Sequence, residues 1–197
     1  MKIEIIEYNP QWEKDFLKEK EIISSALEKF SPVIEHIGST SVKGLGAKPI
    51  IDIMLGLEKH EYLDLISEQM ISIGFTYYRI YNDLMPERRF FVRQKKSDLL
   101  PTLKYYDKDE ITPKERGYIS IVNCHCTTLN NEFWNRHLSF RNYLRNNDNV
   151  RDEYYNLKKD LSKKEWEKLN DYADAKTDFI RSIEKKALDL YNYHKVL

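Results

Sequence analysis

The sequence predicts an α/β (α+β) domain, a mixed sheet with packed helices followed by a C-terminal helical tail. Three observations carry this. Residues 50–57 form an almost continuous apolar run, the pattern of a central strand covered on both faces. Segments of helical period flank it. After Asn130 every readable segment is helical. A length of 197 residues fits one domain, with a core over about 1–129 and a tail over about 130–197.

Taken in order, Asn9-Pro10 reads as an N-cap with proline at the first helical position. It opens a helix to about Phe30, with Trp12, Phe16, Ile23 and Leu27 near one face, and Ser31-Pro32 stops it. A strand over 33–37 ends at Gly38, and the central strand follows. Residues 60–73 read as an amphipathic helix, with Leu63, Ile66, Met70 and Ile73 at helical spacing and Gly74 as C-cap. Residues 75–81, 89–94 and 118–126 are expected strands. The charged stretch 95–117 shows no clear element beyond a capping box at Thr112-Pro113-Lys114-Glu115. Helices are expected over 131–147, 150–161 and 165–193, the last opened by a capping box at Ser162–Glu165. No internal repeat or low-complexity segment interrupts this layout.

Hydrophobic residues make up 41% of the chain, enough for a sizeable core rather than a disordered segment. Basic and acidic residues number 32 each, so no global field draws nucleic acid or a membrane surface, and any anion site must be local. This argues against a long duplex as partner. No apolar run is long enough to span a bilayer, and the N-terminus has no cleavage-like segment, so a soluble, cytoplasmic protein is expected. Cys124 and Cys126 flank His125. In a strand the thiols share one face and His125 takes the other, which points to reduced buried thiols rather than a disulfide or a zinc site.

The chemistry concentrates between His36 and Met54. Gly38 permits backbone angles closed to other residues and close approach of a ligand. Ser39, Thr40 and Ser41 offer hydroxyls and amides to a phosphate, with Lys43 and Lys48 as local positive charge. Taken alone, such a turn is equally an ordinary helix start. Asp52 follows it inside an apolar run, where an unpaired carboxylate is costly, so it needs a cation, a metal or the mouth of a cleft. His125 shares a face with Asn123 and Thr127 and reads as a ligand, a base or a core hydrogen-bonding group. His36 has the same choices, with a structural role favoured. Arg141 lies on the packed stripe of its helix and must meet an anion, either a protein carboxylate or a ligand phosphate. Arg145, Lys158 and Lys176 are further cations that either contact an anion or stay solvated.

The segments His36-Ile37-Gly38-Ser39-Thr40-Ser41-Val42, Gly44-Leu45, Lys48-Pro49-Ile50-Ile51-Asp52-Ile53, Asn123-Cys124-His125 and Leu138-Ser139-Phe140-Arg141-Asn142-Tyr143-Leu144-Arg145 resemble the GrpB family. Tyr154 to Leu161, Tyr172 and Lys176 fit its closing pattern more loosely. The resemblance runs from about Tyr8 to Ala187. It implies a nucleotidyltransferase-like fold with a phosphate-binding turn beside a carboxylate strand. Similar domains fused to dephospho-CoA kinase point toward nucleotide or coenzyme A precursors.

Active members of that fold hold two metal ions with a carboxylate pair and a third carboxylate on a neighbouring strand. Here Met54 stands at the second position, a thioether that Mg²⁺ does not favour, and His125 is the expected stand-in for the third. One reading is therefore transfer of a nucleotidyl or phosphoryl group to a small molecule, with Asp52 and His125 catalytic and holding one divalent metal (Mg²⁺ or Mn²⁺). Gly38, Ser39, Thr40, Ser41, Lys48 and Arg141 would then bind the ligand. The alternative is a non-catalytic nucleotide- or CoA-precursor-binding module with a degenerate metal site. A third reading makes Asp52, His125 and Arg141 an internal polar network.

Overall fold

The first helix, α1 (Gln11–Ala26), starts where Asn9 accepts the amide of Gln11 on its side chain at 2.9 Å, and a short 3-10 turn, Glu28–Phe30, ends it. This computed structural model describes residues 2–108, 110–167 and 169–196, with side-chain surroundings for all of these except 169–170 and 189–196. Strands β1 (Val33–Ile37) and β2 (Ile51–Leu57) fall where the apolar pattern put them. The helix expected over 60–73 is instead two short ones, α2 (Tyr62–Leu65) and α3 (Ser67–Ser72), meeting at Ile66. Strand β3 (Phe75–Tyr78) stops before a 3-10 turn at Arg79–Tyr81, so the strand expected to 81 is shorter. Strand β4 is Arg88–Lys95 and β6 is Ile119–Thr128.

The stretch 95–117 adds an edge strand, β5 (Tyr105–Tyr106), which pairs with β3 over only two residues and so left no period to read. Its capping box does form: Glu115 Oε2 accepts the Thr112 amide at 3.1 Å, and Thr112 Oγ1 accepts the Glu115 amide at 3.3 Å.

Six strands make one mixed sheet in the order β1-β2-β6-β4-β3-β5, with β2 parallel to β6 and β3 parallel to β5. The expected α/β class with a mixed sheet is the one observed. On one face Ile53, Leu55, Leu57, Phe91, Cys124 and Cys126 are fully buried against Ile23 and Leu27 of α1 and Leu63, Ile66 and Met70 of α2–α3. Each such side chain contributes roughly 1.5–3 kcal/mol by leaving water. Cys124 and Cys126 are free thiols here, 3.7 Å apart, as their spacing implied.

The helical tail covers the other face. Helix α4 (Glu132–Asn146) is capped by Asn131, whose side chain accepts the Trp134 amide at 2.8 Å. It lies so close to the sheet that a Cβ on Gly56 would stand 2.3 Å from Leu129 and 2.5 Å from Trp134. Helix α5 is Asp148–Ser162; Ser162 closes it by donating to the Lys159 carbonyl and opens nothing. The single helix expected over 165–193 is two, α6 (Leu169–Asp174) and α7 (Thr177–Val196), with Lys176 at their joint.

Candidate functional site

The turn between β1 and β2 is a 3-10 turn, Ser39–Ser41, entered through Gly38 at φ 68° and ψ −175°. That backbone region belongs almost only to glycine. A Cβ at Gly38 would also stand 2.3 Å from Asp52 Oδ2, so glycine is what lets the turn close onto the carboxylate. The hydroxyls expected to face a ligand are largely committed to the protein. Thr40 Oγ1 donates to the Ile50 carbonyl at 3.1 Å, and Ser41 Oγ donates to the Gly38 carbonyl at 2.7 Å. Ser39 is hydrogen-bonded to the buried Tyr154. His36 lies 3.1 Å from Thr40 Oγ1 and stacks on Phe16 at 4.6 Å. Burial, then Arg145 and Arg141, lower its pKa to about 3, so it is a neutral structural ring.

Helix α4 clamps both ends of this turn. Arg141 Nη1 donates to Glu35 Oε2 at 2.6 Å and to the His36 carbonyl at 2.9 Å, while Nε reaches Asn142 at 3.0 Å. One helical turn on, Arg145 donates to the Ser41 carbonyl from Nε and Nη2, at 3.1 and 2.8 Å. Of the two anions open to an inward Arg141, the structure supplies the protein carboxylate. Arg141 is thus a strut that fixes the turn rather than an arm reaching for a ligand. Arg145 is likewise not simply solvated.

Asp52 stands between the turn and β6. Its direct partner across the parallel pair is Asn123, which donates to Oδ1 at 2.9 Å. Burial raises the Asp52 pKa to about 6, with Asn123, Lys176 and Lys48 pulling the other way. Two lysines, Lys48 and Lys176, act on this carboxylate, and a third, Lys158, lies beside Lys176. Lys158 of α5 is 2% exposed and donates to the Gly46 carbonyl at 2.5 Å. Burial first, then Lys176, lower its pKa to about 7. Lys176 lies 4.2 Å from the centre of the Tyr172 ring, and burial lowers its pKa to about 8, Asp52 opposing and Lys48 assisting. Lys48 is exposed as a residue and is the weaker member; loss of hydration and Lys114 lower its pKa, and Asp52 raises it. Among the described residues none of the three forms an ion pair within 4.0 Å. Beneath Lys176 the Tyr172 hydroxyl is buried without a partner.

A two-metal clamp does not fit these residues. Met54 is fully buried against Ile37, Phe133 and Trp134, so the second position is sealed under α4 as well as lacking a carboxylate. The residue opposite Asp52 is Asn123, an amide. His125 was expected there, but it faces Met54 and Phe90 instead. Its Nδ1 lies 3.0 Å from Arg88, and burial, Arg88 and His137 hold its pKa well below the usual value. Asp52 and His125 therefore share a sheet face without being cross-strand neighbours, and the pairing expected to hold a metal is not formed. Among the described residues no group of three His, Cys, Asp or Glu is arranged to hold a metal ion. Lys158 and Lys176 carried only a general signal, basic residues in a helical tail. The break before Thr177, which places Lys176 at a helix joint, left no mark in the periodicity.

A mixed sheet with helices packed on it, and a glycine-entered turn closed onto a buried carboxylate, define a mixed α/β domain. The profile described as GrpB protein matches residues 2–186, and the chain belongs to the GrpB family. It is 32% identical to UPF0157 protein BH1888 of Halalkalibacterium halodurans over 185 residues, 94% of this chain and 82% of that protein. The glutamate-rich protein GrpB of Alkalihalophilus pseudofirmus is 27% identical, over 91% of this chain and 92% of its own. The crystal structure of the conserved protein GrpB from Enterococcus faecalis matches with a TM-score of 0.75 at 30% identity, covering 95% of this chain and 99% of that one. Among the described residues no helix is long and apolar enough to cross a membrane.

Proposed function

We propose that this protein binds a phosphorylated small molecule of the nucleotide or CoA-precursor type at the Asp52 end of the sheet. Lys158 and Lys176, with Lys48 at the rim, hold the phosphates without a divalent metal. The observation that carries this reading is a buried carboxylate, Asp52, beside Lys48 and Lys176, with Lys158 next to Lys176, none of the three having an ion-pair partner among the described residues. Ammonium groups drawn out of water without a counterion are costly, and an arriving phosphate supplies that counterion. The Gly38 turn, fixed by Arg141 and Arg145, brings its backbone to the same place. Of the two functional readings drawn from the sequence, this is the binding module. The transferase reading keeps one supporting observation: the raised pKa of Asp52, about 6, suits a proton-transfer group.

Calorimetric titration separates the two. ATP, GTP, CTP, UTP and dephospho-CoA are each titrated with Mg²⁺ or with EDTA, on wild type, Asp52→Asn and Lys176→Ala. At least one ligand is expected to bind in EDTA, to bind Asp52→Asn as well or better, and to lose about ten-fold affinity with Lys176→Ala, the scale of one charge-assisted hydrogen bond. Binding that requires the metal and vanishes in Asp52→Asn would overturn the module and restore the enzyme.

A further inference from the structure

The same sheet face carries a second cationic centre, toward the start of α4, that the lysine site does not use. Arg88 of β4 has its guanidinium carbon 5.2 Å from the Phe90 ring centre, 5.6 Å from that of Phe133 and 5.8 Å from that of Tyr81. Its Nε is buried and makes no hydrogen bond. Among the described residues no carboxylate forms an ion pair with it. The acidic group it feels is the adjacent Glu87, which is itself exposed.

The side-chain partner of Arg88 is His125, at 3.0 Å. A guanidinium can only donate, so Nδ1 of His125 accepts and the neutral ring carries its proton on Nε2. That Nε2–H is a second donor beside the arginine. His137, with Nδ1 2.8 Å from the Phe133 carbonyl, is also neutral, burial lowering its pKa to about 4, so it adds no positive charge beside Arg88. Arg136, its guanidinium carbon 5.6 Å from the same Phe133 ring, is paired with Glu184 at 3.5 Å and leaves Arg88 as the unpaired guanidinium of the cluster.

An arginine set among aromatic faces, with a donor imidazole and no carboxylate, is built for a planar or tetrahedral oxyanion. We propose that Arg88 and His125 form a second oxyanion site, distinct from the lysine site, that takes a carboxylate or phosphate group. The group comes either from a free small anion or from the far end of a ligand already held at Asp52.

The test follows the imidazole nitrogen resonances of His125 and His137 by NMR on the full chain during titration with inorganic phosphate and with sodium acetate. Wild type, Arg88→Gln, Arg88→Lys and Lys176→Ala are compared. The His125 signals are expected to shift and saturate with at least one probe in wild type and in Lys176→Ala, and to need at least ten-fold more anion in Arg88→Gln. Arg88→Lys keeps the charge and loses the fork, so it reports the same weakening should the glutamine variant fail to fold. Signals that stay still with both probes would overturn the proposal. So would shifts that persist unchanged in both Arg88 variants, or that disappear in Lys176→Ala. A shift with nucleotide at far lower concentration than with phosphate would assign the oxyanion to a shared ligand; equal concentrations would assign it to a free anion.

Discussion

The arginines of α4 and the lysines of the later tail are treated in opposite ways. Arg141 and Arg145 find protein oxygens at 2.6–3.1 Å, one on each side of the Gly38–Ser41 segment. Lys158 has a backbone carbonyl and the Tyr154 face, and Lys176 the Tyr172 face, but neither has a carboxylate at ion-pair distance among the described residues. Paired cations set geometry, whereas cations drawn from water without a counter-charge store electrostatic strain that a ligand can release. Scaffold and site are thus distinguished by what each cation touches, not by its position on the surface.

The largest effect expected from breaking this comparison is on the scaffold side. Arg141→Ala removes a guanidinium that is 9% exposed from a Glu35 side chain that is 36% exposed. It also frees the His36 carbonyl. Loss of one partner of a buried pair costs about 3–5 kcal/mol, and the exposure of Glu35 places this case near about 3 kcal/mol. Urea unfolding checks it. A loss below about 1 kcal/mol would mean the clamp is dispensable.

Gly38→Ala comes next. The variant must place a Cβ 2.3 Å from Asp52 Oδ2 and hold φ near 68°. Together these are expected to cost about 2 kcal/mol. In an Asp52→Ala background Oδ2 and Cγ are gone and only Cβ, at 2.9 Å, still crowds the site, so the cost should fall toward the backbone share of about 1 kcal/mol. Equal costs in both backgrounds would show that the turn does not press on the carboxylate.

How much of this was legible in the sequence follows from what periodicity can encode. Apolar runs marked β2 and β6 as strands, and the two-residue period of a strand assigned the faces of Asp52, His125 and the thiols. It did not give the register between the two strands, which puts Asn123 rather than His125 opposite Asp52. The stripe on α4 showed that Arg141 points inward, but which anion it meets depends on Glu35, distant in sequence. The breaks at Ile66 and before Thr177 interrupt hydrophobic patterns that continue across them, so each pair of helices read as one. Met54 was visible as a missing carboxylate. That it is roofed by Trp134 and Phe133 required the packed structure.

On the site side the expected effects are smaller and of opposite sign. Lys176→Met replaces a largely buried ammonium that has no ion pair with an apolar chain of similar length. Stability should hold or rise by up to about 1 kcal/mol, even as phosphate affinity drops. A loss of stability together with the loss of binding would reassign Lys176 to the scaffold.

The finest test uses pH. Lys158 and Lys176 have folded pKa values of about 7 and about 8, below the 10.5 of an ordinary lysine. Between those limits the unfolded chain binds more protons than the folded one, so stability rises with pH as the penalty is relieved. Asp52, at about 6 against 3.8, works in the other direction: its folded form holds more protons between those values, and stability falls as pH rises through them. The site is therefore least comfortable near neutral pH, where all its charges coexist without a ligand. Comparing wild type with the Lys158→Met/Lys176→Met double variant isolates the lysine share. The melting-temperature gap between them should narrow from pH 6.5 to pH 9.5, by an amount on the order of 1 kcal/mol once the partial solvent contact of Lys176 is discounted. Saturating phosphorylated ligand at pH 7 should narrow the same gap, because it answers the same unpaired charge. A gap indifferent to pH would mean that these ammonium groups are already satisfied, and with it the contrast between lysines and arginines would fail.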